Sequence, residues 1–77
     1  MIQVEDVGIF NALIQIQRGG KIDMLNVPLV VWYLKSVKEE KAADWVLNNR
    51  TIYLQGILEG FKNNPVEIRN IVNKNGI

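Results

Sequence analysis

Nucleophilic and acid–base chemistry draws on a few residue types, and this chain is short of nearly all of them. It has one serine, Ser36, one threonine, Thr51, and no histidine or cysteine. A hydroxyl becomes a nucleophile only with a base beside it. Without imidazole or thiol groups, Ser–His catalysis, thiolate chemistry, disulfides and Cys/His zinc sites are all excluded. Ser36 stands three residues ahead of Glu39, an S-x-x-E capping box, and therefore reads as a helix start. The carboxylates considered for chemistry are Glu5/Asp6, Glu39/Glu40, Asp44, Glu59 and Glu67. Glu40 and Asp44 would share a helix face, the minimum for a shared proton or an oxygen-ligated cation. Lys38 and Lys41 lie among them, which makes that run a solvated helix start. Arg18-Gly19-Gly20-Lys21 lacks the spacing of a phosphate-binding loop. The expectation is a protein that is not an enzyme and holds no metal, cofactor or small-molecule substrate.

What must be positioned, then, is a surface. With 77 residues the chain has room for one domain, expected as a single helical unit over 1–77. Its hydrophobic fraction of 48% is that of a globular protein, not of a disordered one. A formal charge of +1 offers no electrostatic case for nucleic acid or an anionic membrane. Domains below about 80 residues are marginal unless stapled or oligomerised, and no disulfide staple exists here. Either the core packs well or apolar surface is buried against another chain. The acidic start (Met1 to Asp6) is unlike a signal peptide. The longest run free of charged and amide residues, Val27 to Leu34, is far short of the roughly 20 that span a bilayer. A soluble, cytoplasmic protein with no membrane partner is expected.

Residues 4–18 carry a broad apolar stripe of Val7, Phe10, Leu13 and Ile14, with Ile9 and Ile16 beside it. This predicts a helix with Glu5 and Asp6 in its first turn and Gly19 as C-cap. A rival hairpin over residues 14–24 rests on the strict alternation around Gly19-Gly20. The helix is preferred because its stripe starts well before the alternation. Asn26-Val27-Pro28 predicts a second helix start, with proline where its missing N–H costs nothing. The Ser36–Glu39 box predicts a third, before EEKAADWVLNN. From residue 42 to 61 a continuous helix would align Ala43, Val46, Leu47, Leu54, Ile57, Leu58 and Phe61. Arg50 falls in that stripe, which predicts a break around Asn48-Asn49. A single helix is the alternative if Arg50 snorkels. Asn64-Pro65 predicts a last short helix over VEIRNIVNK. The fold class is all-α, a small bundle of four or five helices.

The aromatic residues are the most informative. On the helix after Pro28, Val27, Val30, Val31, Tyr33, Leu34 and Val37 already form one apolar side, leaving Trp32 and Leu29 opposite. On the next helix Trp45 lies opposite the Ala43-Val46-Leu47 stripe, joined by Ile52 if the helix continues. Both helices carry more apolar surface than one side can bury. Trp32 and Trp45 either pack against each other or against the first helix, making a helix buried on two sides, or form a patch for a partner. The contact residues expected for such a partner are Trp32, Trp45, Tyr33, Tyr53, Leu29 and Ile52, with Arg50 and Lys38 as polar rim. The partner is a protein, with a second copy of the chain (a homodimer) among the candidates.

Nucleic acid is the alternative. Asn26–Val37 followed by Glu39–Asn48 has helix-turn-helix proportions, with Lys35, Lys38, Lys41 and Arg50 as a modest basic cluster. Glu39, Glu40 and Asp44 stand where a recognition helix would approach phosphates, and the second helix lacks an outward row of base-reading side chains.

Two stretches resemble a family of small uncharacterised proteins from phages and prophages of Gram-positive bacteria, classed as a domain of unknown function. Leu13, Ile16, Gly20, Asp23-Met24-Leu25-Asn26 and Val30 match its first part. Trp45-Val46, Asn49-Arg50, Tyr53, Ile57-Leu58 and Gly60 match its second. The resemblance covers about residues 12–61; Asp23 replaces the usual Asn, and Trp32-Tyr33 replaces more polar positions. The family brings no activity or functional residues and implies a phage-linked accessory role. The function expected is a non-enzymatic protein-interaction module. A DNA-binding regulator is the alternative, and a virion or packaging component the third reading.

Overall fold

The computed structural model describes residues 1–63. Four helices, α1 (Val7–Gly19), α2 (Val27–Ser36), α3 (Glu40–Asn48) and α4 (Arg50–Glu59), lie between two short strands, β1 (Ile2–Gln3) and β2 (Phe61–Lys62). The protein is mostly helical, as its periodicity predicts. The fifth helix expected after Asn64-Pro65 lies outside the described residues.

The helix starts follow local chemistry. The Asp6 carboxylate accepts from the Ile9 N–H at 3.1 Å and caps α1. Glu5 and Asp6 therefore precede the helix instead of forming its first turn. α1 runs through Gly19, and its C-cap is Gly20, at φ 60°, not Gly19. Helix and cap occupy most of the proposed hairpin, which does not form. Asn26 caps α2 in the same way, accepting from the Leu29 N–H at 3.2 Å, with Pro28 in the first turn.

The join between α2 and α3 departs from expectation. Ser36 is not an N-cap: it is still helical, and its hydroxyl donates back to the Tyr33 carbonyl at 2.6 Å. The chain turns at Lys38, φ 64°. The Glu39 N–H donates to the Leu34 carbonyl at 2.8 Å and the Lys38 N–H to the Lys35 carbonyl at 3.1 Å. That pair of bonds is a Schellman motif with lysine in the left-handed position usually given to glycine. α3 then starts at Glu40 without a side-chain cap.

The break before Arg50 forms as the misplaced charge predicts. Asn49 leaves helical geometry at φ −134°, ψ 47°, and its side-chain amide donates to the Trp45 carbonyl at 2.8 Å. Arg50 opens α4 in solvent, so residues 40–59 form two helices, not one. A non-helical residue resets the angular phase; beyond it Leu54 and Ile57 of the continuous stripe still pack against the core and Phe61 is buried, but from β2 and not from a helix. Tyr53 and Gly56 turn inward, while Leu58 is 79% exposed and Leu47 is also exposed.

β1 and β2 pair in parallel, Ile2 opposite Phe61 and Gln3 opposite Lys62. The Ile2 N–H donates to the Gly60 carbonyl at 2.9 Å and the Val4 N–H to the Lys62 carbonyl at 2.8 Å. The Asn63 side-chain amide adds bonds to the Val4 and Glu5 carbonyls at 2.6 and 3.0 Å. This clasp carries Val4 and Phe61 into the core, which also takes Ala12, Leu13 and Ile16 from α1. Val27, Val30 and Leu34 from α2, Ala42, Ala43 and Val46 from α3, and Tyr53 from α4 complete it. Val7 and Val37, both expected on inner faces, are exposed.

Candidate interaction surface

α2 reads VPLVVWYLKS, with polar side chains only in its last turn. A helix apolar on all sides is normally covered on all sides. Its inner residues Val27, Val30 and Leu34 are buried, with α3 as its main packing partner. Tyr33 is half-buried beside α1, where Gln15, Ile16, Gly19, Lys21 and Ile22 line a shallow depression with it. On the outer side Leu29 is half-buried and Trp32 is 64% exposed. Three residues apart, they are neighbours on the helix surface. Among the described residues Trp32 has no aromatic ring against it. Leu25, in the turn ahead of α2, is also exposed, at 55%.

The other expected contact residues separate. Trp45 is half-buried, edge-on to Phe61 with ring centroids 6.4 Å apart, and forms no pair with Trp32. The break at Asn49 also ends the projected Trp45–Ile52 stripe. Ile52 instead sits exposed beside Arg50 and Leu47 around the α3–α4 junction. Lys38 is exposed in the α2–α3 turn.

Tyr53 is fully buried and belongs to the core, not to a contact surface. It stacks on Phe61 at 6.2 Å, and its hydroxyl donates to the Met24 carbonyl at 2.6 Å. Burial, with a smaller contribution from the Asp23 carboxylate, pushes this phenol up to about 12. The bond ties α4 to the loop ahead of α2. Sequence patterning missed it because the stripe through residues 42–61 assumed an unbroken helix. Leu25 was also missed, although the Asn26 cap already placed it outside the helix, where nothing on α2 obliges it to be covered.

A cleft of about 400 Å³ lies between the start of α1 and the α2–α3 turn. Its wall alternates Asp6, Lys38, Glu39, Glu40 and Lys41, so it favours neither sign of ligand charge. Among the described residues no three acidic side chains converge as a metal site would require, and no helix is long and apolar enough to cross a membrane.

No protein-family model matches the chain, and neither does any curated protein or solved structure.

Proposed function

We propose that this protein is a non-enzymatic interaction module that binds another protein through the outer side of α2. Following the family resemblance, it acts as a phage or prophage accessory protein in the cytoplasm. The observation that carries this reading is Trp32, 64% exposed at the centre of a helix with no polar side chain before its last turn. Tryptophan is among the residues that most often dominate binding energy. Leaving it in water costs transfer energy that a partner recovers, at about 25 cal/mol per Å² covered. Duplex DNA fits less well, because Glu39 and Glu40 stand at the start, and Asp44 in the middle, of the helix that would approach phosphates.

Trp32→Ala should leave the far-ultraviolet circular dichroism spectrum unchanged while weakening partner capture or self-association. Loss of helicity on this substitution, or binding unaffected by it, counts against the surface. Salt-dependent duplex binding, steepening by about 0.9 in log–log slope per phosphate contact, would favour the DNA alternative.

A further inference from the structure

α3 and α4 are joined by one non-helical residue, Asn49, and no proline or glycine stands at the break. In an unbroken helix the Asn49 N–H would donate to the Trp45 carbonyl, four residues back. Here it donates to the Val46 carbonyl at 3.2 Å, and the Asn49 side-chain amide takes the Trp45 carbonyl instead, at 2.8 Å. The side chain thus stands in for the main-chain bond that the break removes. The start of α4 has no side-chain cap. Beyond the break, α4 packs against β1, and β2 against β1 and α1. The Tyr53 hydroxyl reaches the Met24 carbonyl, and Phe61 meets Trp45. Each of those partners precedes Asn49 in the chain.

We propose that Asn49 is a hinge between two forms of the chain. In the second form residues 40–59 are one continuous helix about 30 Å long, and α4 with β2 packs on the body of a second copy. Because the partners of that segment all precede the hinge, a second copy offers the same set, and its own α4 and β2 return the exchange. Tyr53, Phe61 and the strand pairing keep their surroundings, while each chain gains backbone hydrogen bonds that the break leaves unmade. Joining two copies costs translational and rotational freedom, so the exchanged form is favoured at high concentration. Arg50 lies between the two bodies in that form, and its charge enters neither core. The proposal is independent of the outer side of α2.

Refolding the full chain from urea at micromolar and at millimolar concentration, followed by sedimentation, tests this. The expected result is a dimer that forms as concentration rises. Asn49→Ala removes the stand-in amide and favours helix at both hinges, and should lower the concentration needed for half dimer about tenfold. Arg50→Pro places proline at the first position of α4, where it is tolerated, but in the interior of the continuous helix, where it is not. It should keep the helicity of the monomer and abolish the dimer. Gln3 and Lys62 stand opposite each other in the strand pair. In a Gln3→Cys, Lys62→Cys double variant, oxidation should link the separated dimer between chains and the monomer within one chain. A dimer that oxidises only within chains overturns the proposal, as does one that survives Arg50→Pro. A monomer at every concentration, Asn49→Ala included, overturns it too, and this arm does not depend on whether Arg50→Pro folds. Trp32→Ala should change nothing here; a dimer lost on that substitution would overturn the hinge and leave the reading of the α2 face standing.

Discussion

Two residues sit in conformations or environments that a simple substitution can probe. Lys38 holds φ 64° in the α2–α3 turn, a position that costs an L-residue about 1–2 kcal/mol and glycine almost nothing. Glycine loses about 0.5–1 kcal/mol of that advantage to its freer unfolded chain. Lys38→Gly is therefore expected to stabilise the fold by about 0.5–1 kcal/mol, read as a higher urea midpoint at unchanged slope. Tyr53 carries the second prediction. Its phenol, 10.0 when unperturbed, is pushed up to about 12, so the fold favours the neutral form. That contribution is fully present below pH 10 and declines as pH rises through the interval up to about 12. Tyr53→Phe should cost about 1–2 kcal/mol at neutral pH, by leaving the part-buried Met24 carbonyl without its donor, and should flatten this alkaline decline. Urea midpoints across that pH range, for both proteins, give the comparison. An equal alkaline decline in the two would mean that Tyr53 is not the group responsible.

At the scale of elements, two glycines in helices should respond to alanine with opposite sign. Propensity alone favours alanine by about 0.8–1.0 kcal/mol in a helix interior. At Gly19, in the last turn of α1, an added Cβ meets nothing within 4 Å, so Gly19→Ala should stabilise by part of that amount. At Gly56 an added Cβ would overlap the ring of Phe61 at Cε1. The ring must move away from α4 and from its stack on Tyr53, and overpacking of this kind costs about 1–3 kcal/mol, enough to cancel the propensity gain and reverse its sign. Thermal melts of the two variants would separate the effects, and stabilisation by both would show that Phe61 does not rest on Gly56. This contrast also marks how far elements could be read from sequence. The helix over residues 7–19, the Asn26 cap and the break at Asn48-Asn49 were legible because local residues set them: an apolar stripe, a side-chain acceptor, a charge that cannot enter a core. The Ser36 cap was misread because a serine three residues ahead of a glutamate fits a helix end as well as a helix start. The inward turn of Tyr53 and the seating of Phe61 on Gly56 depend on the phase after Asn49 and on contacts between separate elements, which no local pattern encodes. Of the proposed surface, Trp32 and Leu29 were visible by subtraction from the inner stripe. Tyr53, expected there with the other aromatic residues, is instead fully buried.

The whole molecule is closed by its most distant described segments. β1 and β2 are two residues each, too short to persist alone, and an isolated two-stranded pair is at best marginally stable in water. Their pairing is sustained by what they bring inward. Val4 and Phe61 are buried together with residues from all four helices, and Phe61 stacks on Tyr53 and stands roughly perpendicular to Trp45. Bringing Ile2 to Phe61 closes nearly the full described chain, but that entropy grows only logarithmically with loop length. A few buried side chains offset it. Clasp and helices should therefore melt as one unit. In a Trp32→Phe background the remaining tryptophan, Trp45, reports on the Phe61 contact while circular dichroism reports on the helices. Both signals should be lost at the same urea concentration. Phe61→Ala should cost about 3–5 kcal/mol, most of the stability a domain this small commands, and lower both midpoints together. If Trp45 fluorescence changes well before helicity does, the strands are an ornament on a self-sufficient helical core. The loss from Phe61→Ala would then appear in the first transition alone.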